Sequence, residues 1–258
     1  MSPASKPSKT LLVGSRGRMG AMLHREAQAC GLCTVGVDQP LSQEVVKDKA
    51  AGAELVLFCV PAKVLASVLE TVCPYLPRDC IVADITSVKE QPLKDMQRIW
   101  PGEVVGTHPL FGPNFDRQEP LPVAIVPGRA QAKAIARTAS FFTALGFQTF
   151  ECTAYVHDRA MASLQNLNFI STLAYFALLG DHKELLPFMT PSFRRRLAAA
   201  KKMLTEDAQM FAGLFEVNRF SHELVRQYTK VLSLAACGDI ELLLEKAQWW
   251  LQAEKDPR

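Results

Sequence analysis

The sequence predicts an α/β domain built on a mostly parallel sheet, followed by an all-α domain. Three observations predict it. Short apolar runs alternate with amphipathic stretches as far as Cys152. A glycine-rich turn joins the first run to the first stretch. Beyond about Thr153 strand-like runs stop, and apolar residues recur only at helical spacing.

Strands are expected at 10–13, 33–38, 55–60, 80–85, 103–106 and 123–126, each short, aliphatic and bounded by turn formers. Helices at 19–30, 41–51, 62–76, 89–100 and 131–145 fill the gaps, and a strand at 148–152 closes this half. The first domain is therefore 1–153 and the second 154–258. In the second, VHDRAMASLQNLNFISTLAYFALL and AQMFAGLFEVNRFSHELVRQYTKVLSLAA carry helical periodicity, and Pro187 and Pro191 punctuate a turn. No internal repeat or low-complexity tract interrupts the pattern.

Composition narrows the function classes. With 258 residues, 48% of them hydrophobic, the chain can bury a core without disulfides or metals. A net charge of +3 is too mild to point to nucleic acid or a membrane surface. No apolar run reaches the roughly 18 residues of a membrane span. The opening MSPASKPSKT lacks the apolar segment of a signal peptide and reads as a disordered lead. Seven cysteines, an odd number without a secretion signal, predict reduced thiols in a cytoplasm. Cys30 and Cys33 form a CxxC, but at an expected helix end and without a second pair at zinc spacing. They read as two small buried residues, and no metal is expected.

The turn after the first strand is VGSRGRMGAM. Glycines here let the backbone approach a pyrophosphate closely, and the following helix offers it free N–H groups and a positive dipole end. Gly14, Ser15, Gly17, Arg18, Met19 and Gly20 are the candidate cofactor residues, with Ser15 standing where the usual pattern begins on glycine. The second strand ends in Asp38, placed to accept from a ribose hydroxyl and to repel a 2′-phosphate. This is a Rossmann-type arrangement, and it favours NAD over NADP. Ligands of such sheets bind beyond the carboxyl ends of the strands, so Val60 and Pro61, residues 86–89 and residues 107–109 should line one crevice. The stretch VVGTHPLFGP thus puts His108 just past a strand end, beside the cofactor, with Pro109 restricting its backbone.

Three segments, ADITSVKEQPL, GTHPLFGPN and HDRAMASLQNLNF, together with the glycine turn, resemble the prephenate dehydrogenase family and its arogenate and cyclohexadienyl relatives. The resemblance covers nearly the whole chain and implies a dinucleotide-binding domain joined to a helical dimerisation domain, hence a homodimer. No chorismate mutase segment or regulatory domain is seen, so a monofunctional form is expected. The implied reaction is NAD-dependent oxidative decarboxylation of prephenate in tyrosine biosynthesis. His108 would accept the hydroxyl proton, and Ser87 would orient it or bridge to the hydroxyl. Lys89 and His157 match positions on the substrate or nicotinamide side. Arg194 matches an arginine that holds the ring carboxylate, and Lys202 stands where the principal arginine is expected. Lysine supplies a point charge in place of a bidentate fork.

Where many members read Ser-His-Leu-Pro-His, this chain reads Gln165-Asn166-Leu167-Asn168-Phe169. Gln165 remains able to hydrogen-bond a ligand, but both histidines are gone. Prephenate against arogenate is left open by this change at the side-chain end. A β-hydroxyacid dehydrogenase would need a lysine on this helix. A retired NAD-binding sensor would explain Ser15, Asn166, Phe169 and Lys202, but not the retention of Ser87 and His108.

Overall fold

The computed structural model describes residues 6–255. Residues 1–5 of the expected disordered lead lie outside the described residues. Its later part is tied down: the Ser8 amide donates to Glu54 Oε2 at 2.7 Å, and Pro7 is buried. The chain forms two compact units, Met1–Met161 and Ala162–Arg258.

In the first unit seven strands, counted among the described residues, make one sheet in the order β2-β1-β3-β4-β5-β6-β7. Strands β1 (Thr10–Val13), β2 (Thr34–Val37), β3 (Leu55–Phe58), β4 (Ile81–Asp84) and β5 (Val104–Pro109) run parallel. Each of the four after β1 is reached through a helix: α1 (Arg18–Ala29), α2 (Gln43–Ala50), α3 (Ala62–Val72) and α4 (Glu90–Ile99). No helix separates β5 from β6 (Pro122–Pro127). A parallel crossover needs a dozen or more residues, usually helical, so β6 turns back antiparallel to β5. After α5 (Ala132–Ala144), β7 (Gln148–Glu151) pairs parallel to β6.

Helices cover both faces, which is why the central strands read as unbroken aliphatic runs and not as alternations. Met22, Leu23 and Ala27 of α1 and Phe141 and Phe142 of α5 build one core. Val46 of α2, Leu65 and Leu69 of α3 and Leu93 and Met96 of α4 build the other. Helix α6 (Ala154–Met161) packs on β6 and α4. The division between units therefore falls after it, and not at Thr153 where the strand pattern ends.

One correction bears on the site. Strand β5 does not stop at Gly106; it runs through His108 and Pro109, which pair with Ala124 and Val123 of β6. His108 is therefore a buried strand residue held by the ladder, and not the first residue of a loop.

The second unit opens with a π-helical turn, Ala162–Asn166, followed by α7 (Leu167–Leu178), α8 (Pro191–Thr205), α9 (Ala208–Val217), α10 (Ser221–Ala236) and α11 (Ile240–Lys255). Its own interior is small: Phe169 stacks on Phe211 at 5.5 Å, and Asn166 donates to Ser221 at 2.9 Å. Leu173, Leu232, Trp249 and Trp250 are exposed on the single chain. Among the described residues no helix is long and apolar enough to cross a membrane.

Candidate active site

The glycine turn lies between β1 and α1. Gly14 has φ +87°, and a Cβ there would lie 2.6 Å from the Cys59 carbonyl oxygen, so no other residue fits. Helix α1 starts without a side-chain cap and without an acidic residue in its first turn, which leaves its positive end for an anion. A cavity of about 210 Å³ opens here, and Gly14, Gly17, Asp38, Val60 and Pro61 all line it. Arg18 is exposed at the head of α1, whereas Met19 packs towards the core and Gly20 is buried. Asp38 lies just beyond β2; its Oδ2 accepts from the Arg16 amide at 2.8 Å and its Oδ1 from the Gln39 amide at 2.8 Å. Both bonds fix its carboxylate on the wall of the cavity, where a ribose would meet it. Glycine space, helix end and carboxylate together fit a dinucleotide.

Ser15 has a structural answer. Its hydroxyl donates to the Val37 carbonyl at 3.3 Å, and it occupies the space a side chain at residue 36 would need. A Cβ on Gly36 would come within 2.6 Å of both Ser15 side-chain atoms. The extra side chain in the turn is thus accommodated by a missing one on β2.

At the carboxyl end of β5, His108 Nδ1 lies 2.9 Å from His157 Nε2, the two rings meeting edge to face. The hydrogen-bond partner of His108 in the folded chain is thus His157. Ser87 sits half-buried on the loop from β4 to α4 with no protein hydrogen bond among the described residues. His157 Nδ1 in turn lies 2.8 Å from Asp158 Oδ1. Burial holds the His108 imidazole well below its ordinary 6.5, helped by His157 and Lys89 nearby. Burial also lowers His157, although its hydrogen bond to Asp158 pulls the other way. Both are neutral at physiological pH, which is the state a proton acceptor requires.

Lys89 departs from the simple picture of a substrate cation. Its ammonium is wholly buried, 2.6 Å from Asp84 Oδ2 and 2.7 Å from the Thr107 carbonyl. Burial draws it below the ordinary lysine value while Asp84 opposes the shift. Its stem passes over Gly106, where a Cβ would meet Lys89 Cδ at 3.1 Å. Thr86 also bonds Asp84, through both its amide at 2.9 Å and its hydroxyl. The segments ADITSVKEQPL and GTHPLFGPN therefore meet where the Lys89 ammonium, paired with Asp84, reaches the Thr107 carbonyl.

Sequence reasoning missed Asp158 and Asp84. Asp158 accepts from the amides of Lys89 at 2.7 Å and Glu90 at 2.9 Å, capping α4 from 69 and 68 positions away in the chain. Only the H-D pair in HDRAM hinted at it.

Gln165, Arg194 and Lys202 belong to the second unit. Gln165 sits in the π-helical turn, its side-chain oxygen buried without a partner among the described residues. Such turns recur at functional sites. Asn166 and Phe169, which replace the motif histidines, are spent on this unit's interior. Arg194 and Lys202 are exposed on α8 and, eight positions apart, share a face; Lys202 lies 3.8 Å from Asp207. Arg195 bonds Ser192, and Arg196 stacks on Tyr175. Cys30 and Cys33 are exposed, not buried as expected, because α1 ends at Ala29 and releases them at the surface. Among the described residues no group of three or more His, Cys, Asp or Glu side chains is placed to hold a metal.

Two outcomes follow from these contacts. Gly36→Ala should lower stability by about 1–3 kcal/mol by overpacking against Ser15. Adding Ser15→Gly should recover most of that loss, so a urea double-mutant cycle should show coupling; additive effects would refute the pairing. The lowered histidines predict a pH dependence of defined sign. Between the folded values and 6.5 the unfolded chain binds protons the folded one does not, so stability is lost as pH falls below about 6.5. Urea midpoints at about pH 7.5 and about pH 5.5 would check this, with the lower midpoint expected in acid.

Residues 24–141 match the family model described as prephenate dehydrogenase, nucleotide-binding domain. The chain is 28% identical over 225 residues to the T-protein of Enterobacter agglomerans, covering 84% of this chain and 59% of that protein. It is 26% identical over 236 residues to the cyclohexadienyl dehydrogenase of Zymomonas mobilis, covering 83% of this chain and 80% of that one. Its fold matches that of prephenate dehydrogenase from A. aeolicus, solved with hydroxyphenyl propionate and NAD+, at a TM-score of 0.80 and 18% identity over the full length of both chains. By these matches the chain is similar to the prephenate dehydrogenase family in its nucleotide-binding part and in its fold.

Proposed function

We propose that this chain is a cytoplasmic, NAD-dependent dehydrogenase that converts prephenate to 4-hydroxyphenylpyruvate, CO2 and NADH in tyrosine biosynthesis. The observation that carries the reading is His108, a buried neutral imidazole on the sheet edge that also bears the dinucleotide cavity. Bound NAD supplies the acceptor for a hydride. Asp38 favours the unphosphorylated ribose, since a second anion beside it would be repelled. His108 takes the proton of the substrate hydroxyl as that oxygen becomes a carbonyl, while the ring carboxylate departs as CO2 and the ring becomes aromatic. Ser87, with no hydrogen-bond partner among the described residues, is available to bridge the hydroxyl. Lys89 acts through the backbone it spaces, its charge being spent on Asp84.

The substrate's carboxylates call for cations, a role assigned to Arg194 and Lys202. A cation on the departing carboxylate aids binding more than the barrier, so lysine in place of arginine weakens affinity more than turnover. Arogenate, bearing an amine in place of the keto group, is the second reading; the unpartnered acceptor oxygen of Gln165 favours it. The exposed apolar residues of the helical unit support self-association as a homodimer.

Assays of reduced-cofactor formation with prephenate and arogenate, each with NAD and NADP, test the reading. Turnover with NAD is expected, and NAD binding without turnover of either substrate would leave a sensor instead. His108→Asn should lower kcat by about two to four powers of ten. A monomeric mass in solution would refute the dimer.

A further inference from the structure

We infer that His157 and Asp158 are positioning residues for His108: they hold its imidazole in the Nδ1–H tautomer and leave Nε2 as the atom that accepts the proton. The inference rests on the reading of His108 as the base, and it reassigns His157 from substrate contact to tautomer control.

The hydrogen-bond directions follow from the far end of the chain of contacts. Asp158 Oδ1 accepts from the Lys89 amide and Oδ2 from the Glu90 amide. With both oxygens accepting from N–H groups that can only donate, the carboxylate is ionised and acceptor-only. The first turn of α4 stabilises that charge through its dipole. His157 Nδ1, 2.8 Å from Oδ1, must then carry the proton of its bond. A neutral imidazole has one N–H, so His157 Nε2 is left as an acceptor. Across the 2.9 Å contact His108 Nδ1 must donate. The remaining nitrogen, His108 Nε2, holds a lone pair. With Asp158 an acceptor and both rings neutral, any other assignment sets two N–H groups head to head or two lone pairs face to face in a buried site.

The elements packed around the pair leave this assignment standing. From β4 and α4 come Asp84 and Lys89, which pair with each other. Cys152, before α6, is held as a thiol by burial. His157 and Asp158 are chain neighbours, so α6 delivers both halves of the device together, just as β5 delivers the residue they act on.

The test is ¹⁵N NMR of the histidine side chains in the full-length, substrate-free protein, with kinetics alongside. In the unmodified protein His108 is expected as the Nδ1–H tautomer; finding it as Nε2–H overturns the inference without any variant. His157→Leu keeps the bulk but removes the acceptor. It should shift His108 towards Nε2–H and lower kcat by about ten- to a thousand-fold, with KM changed less than about three-fold. His157→Gln, whose side-chain oxygen can accept from Nδ1–H, should retain the tautomer and most of kcat. A Leu variant with His108 still in the Nδ1–H form overturns the proposal. Because the tautomer is read without substrate, its failure is distinguishable from failure of the proposed reaction.

Discussion

The carboxylate of Asp158 joins three separate pieces of chain. It caps α4 at Lys89 and Glu90, it holds His157, and it does so from a helix that follows the last strand. A helix N-terminus normally finds its cap within its own first residues. Here α4 begins on Lys89 without a side-chain cap of its own, and the acceptor arrives from α6. The geometry of His108 therefore exists only when the first unit is complete through Met161.

The second constraint is the buried pair of Lys89 and Asp84. A lone charge in this interior would be unfavourable by roughly 3–5 kcal/mol, so neither residue stands without the other. Thr107 reinforces the arrangement from β5: its carbonyl receives the ammonium and its hydroxyl donates to the Asp84 carbonyl at 2.6 Å. Gly106 provides the space for the lysine stem. The pair thus locks the ends of β4 and β5 in register just where Ser87 and His108 emerge, and it keeps a positive charge close enough to disfavour protonation of the base.

The nucleotide turn and the helical unit show the same economy where they depart from the pattern they resemble. Ser15 is matched by Gly36, so an altered fingerprint keeps its backbone course. Asn166 and Phe169 replace two histidines with a buried hydrogen bond and an aromatic stack. Those positions exchange polar chemistry for internal cohesion in a unit with a small core of its own.

The sequence by itself determined the alternation of strands and helices, the glycine turn, Asp38 and the identity of His108. These are local signals: aliphatic runs, helical periodicity and turn residues act within a few positions of themselves. Strand boundaries shifted by only a residue or two, except at β5, where pairing with β6 carried the strand through His108. The antiparallel turn of β6 was implicit in the absence of a helix after Pro109. Tertiary structure alone decided that Asp158 caps a helix far away in the chain, that Lys89 is spent on Asp84, and that His157 hydrogen-bonds His108. Each of these depends on charges and hydrogen-bond donors that are distant in sequence and become partners only when burial removes water as the alternative.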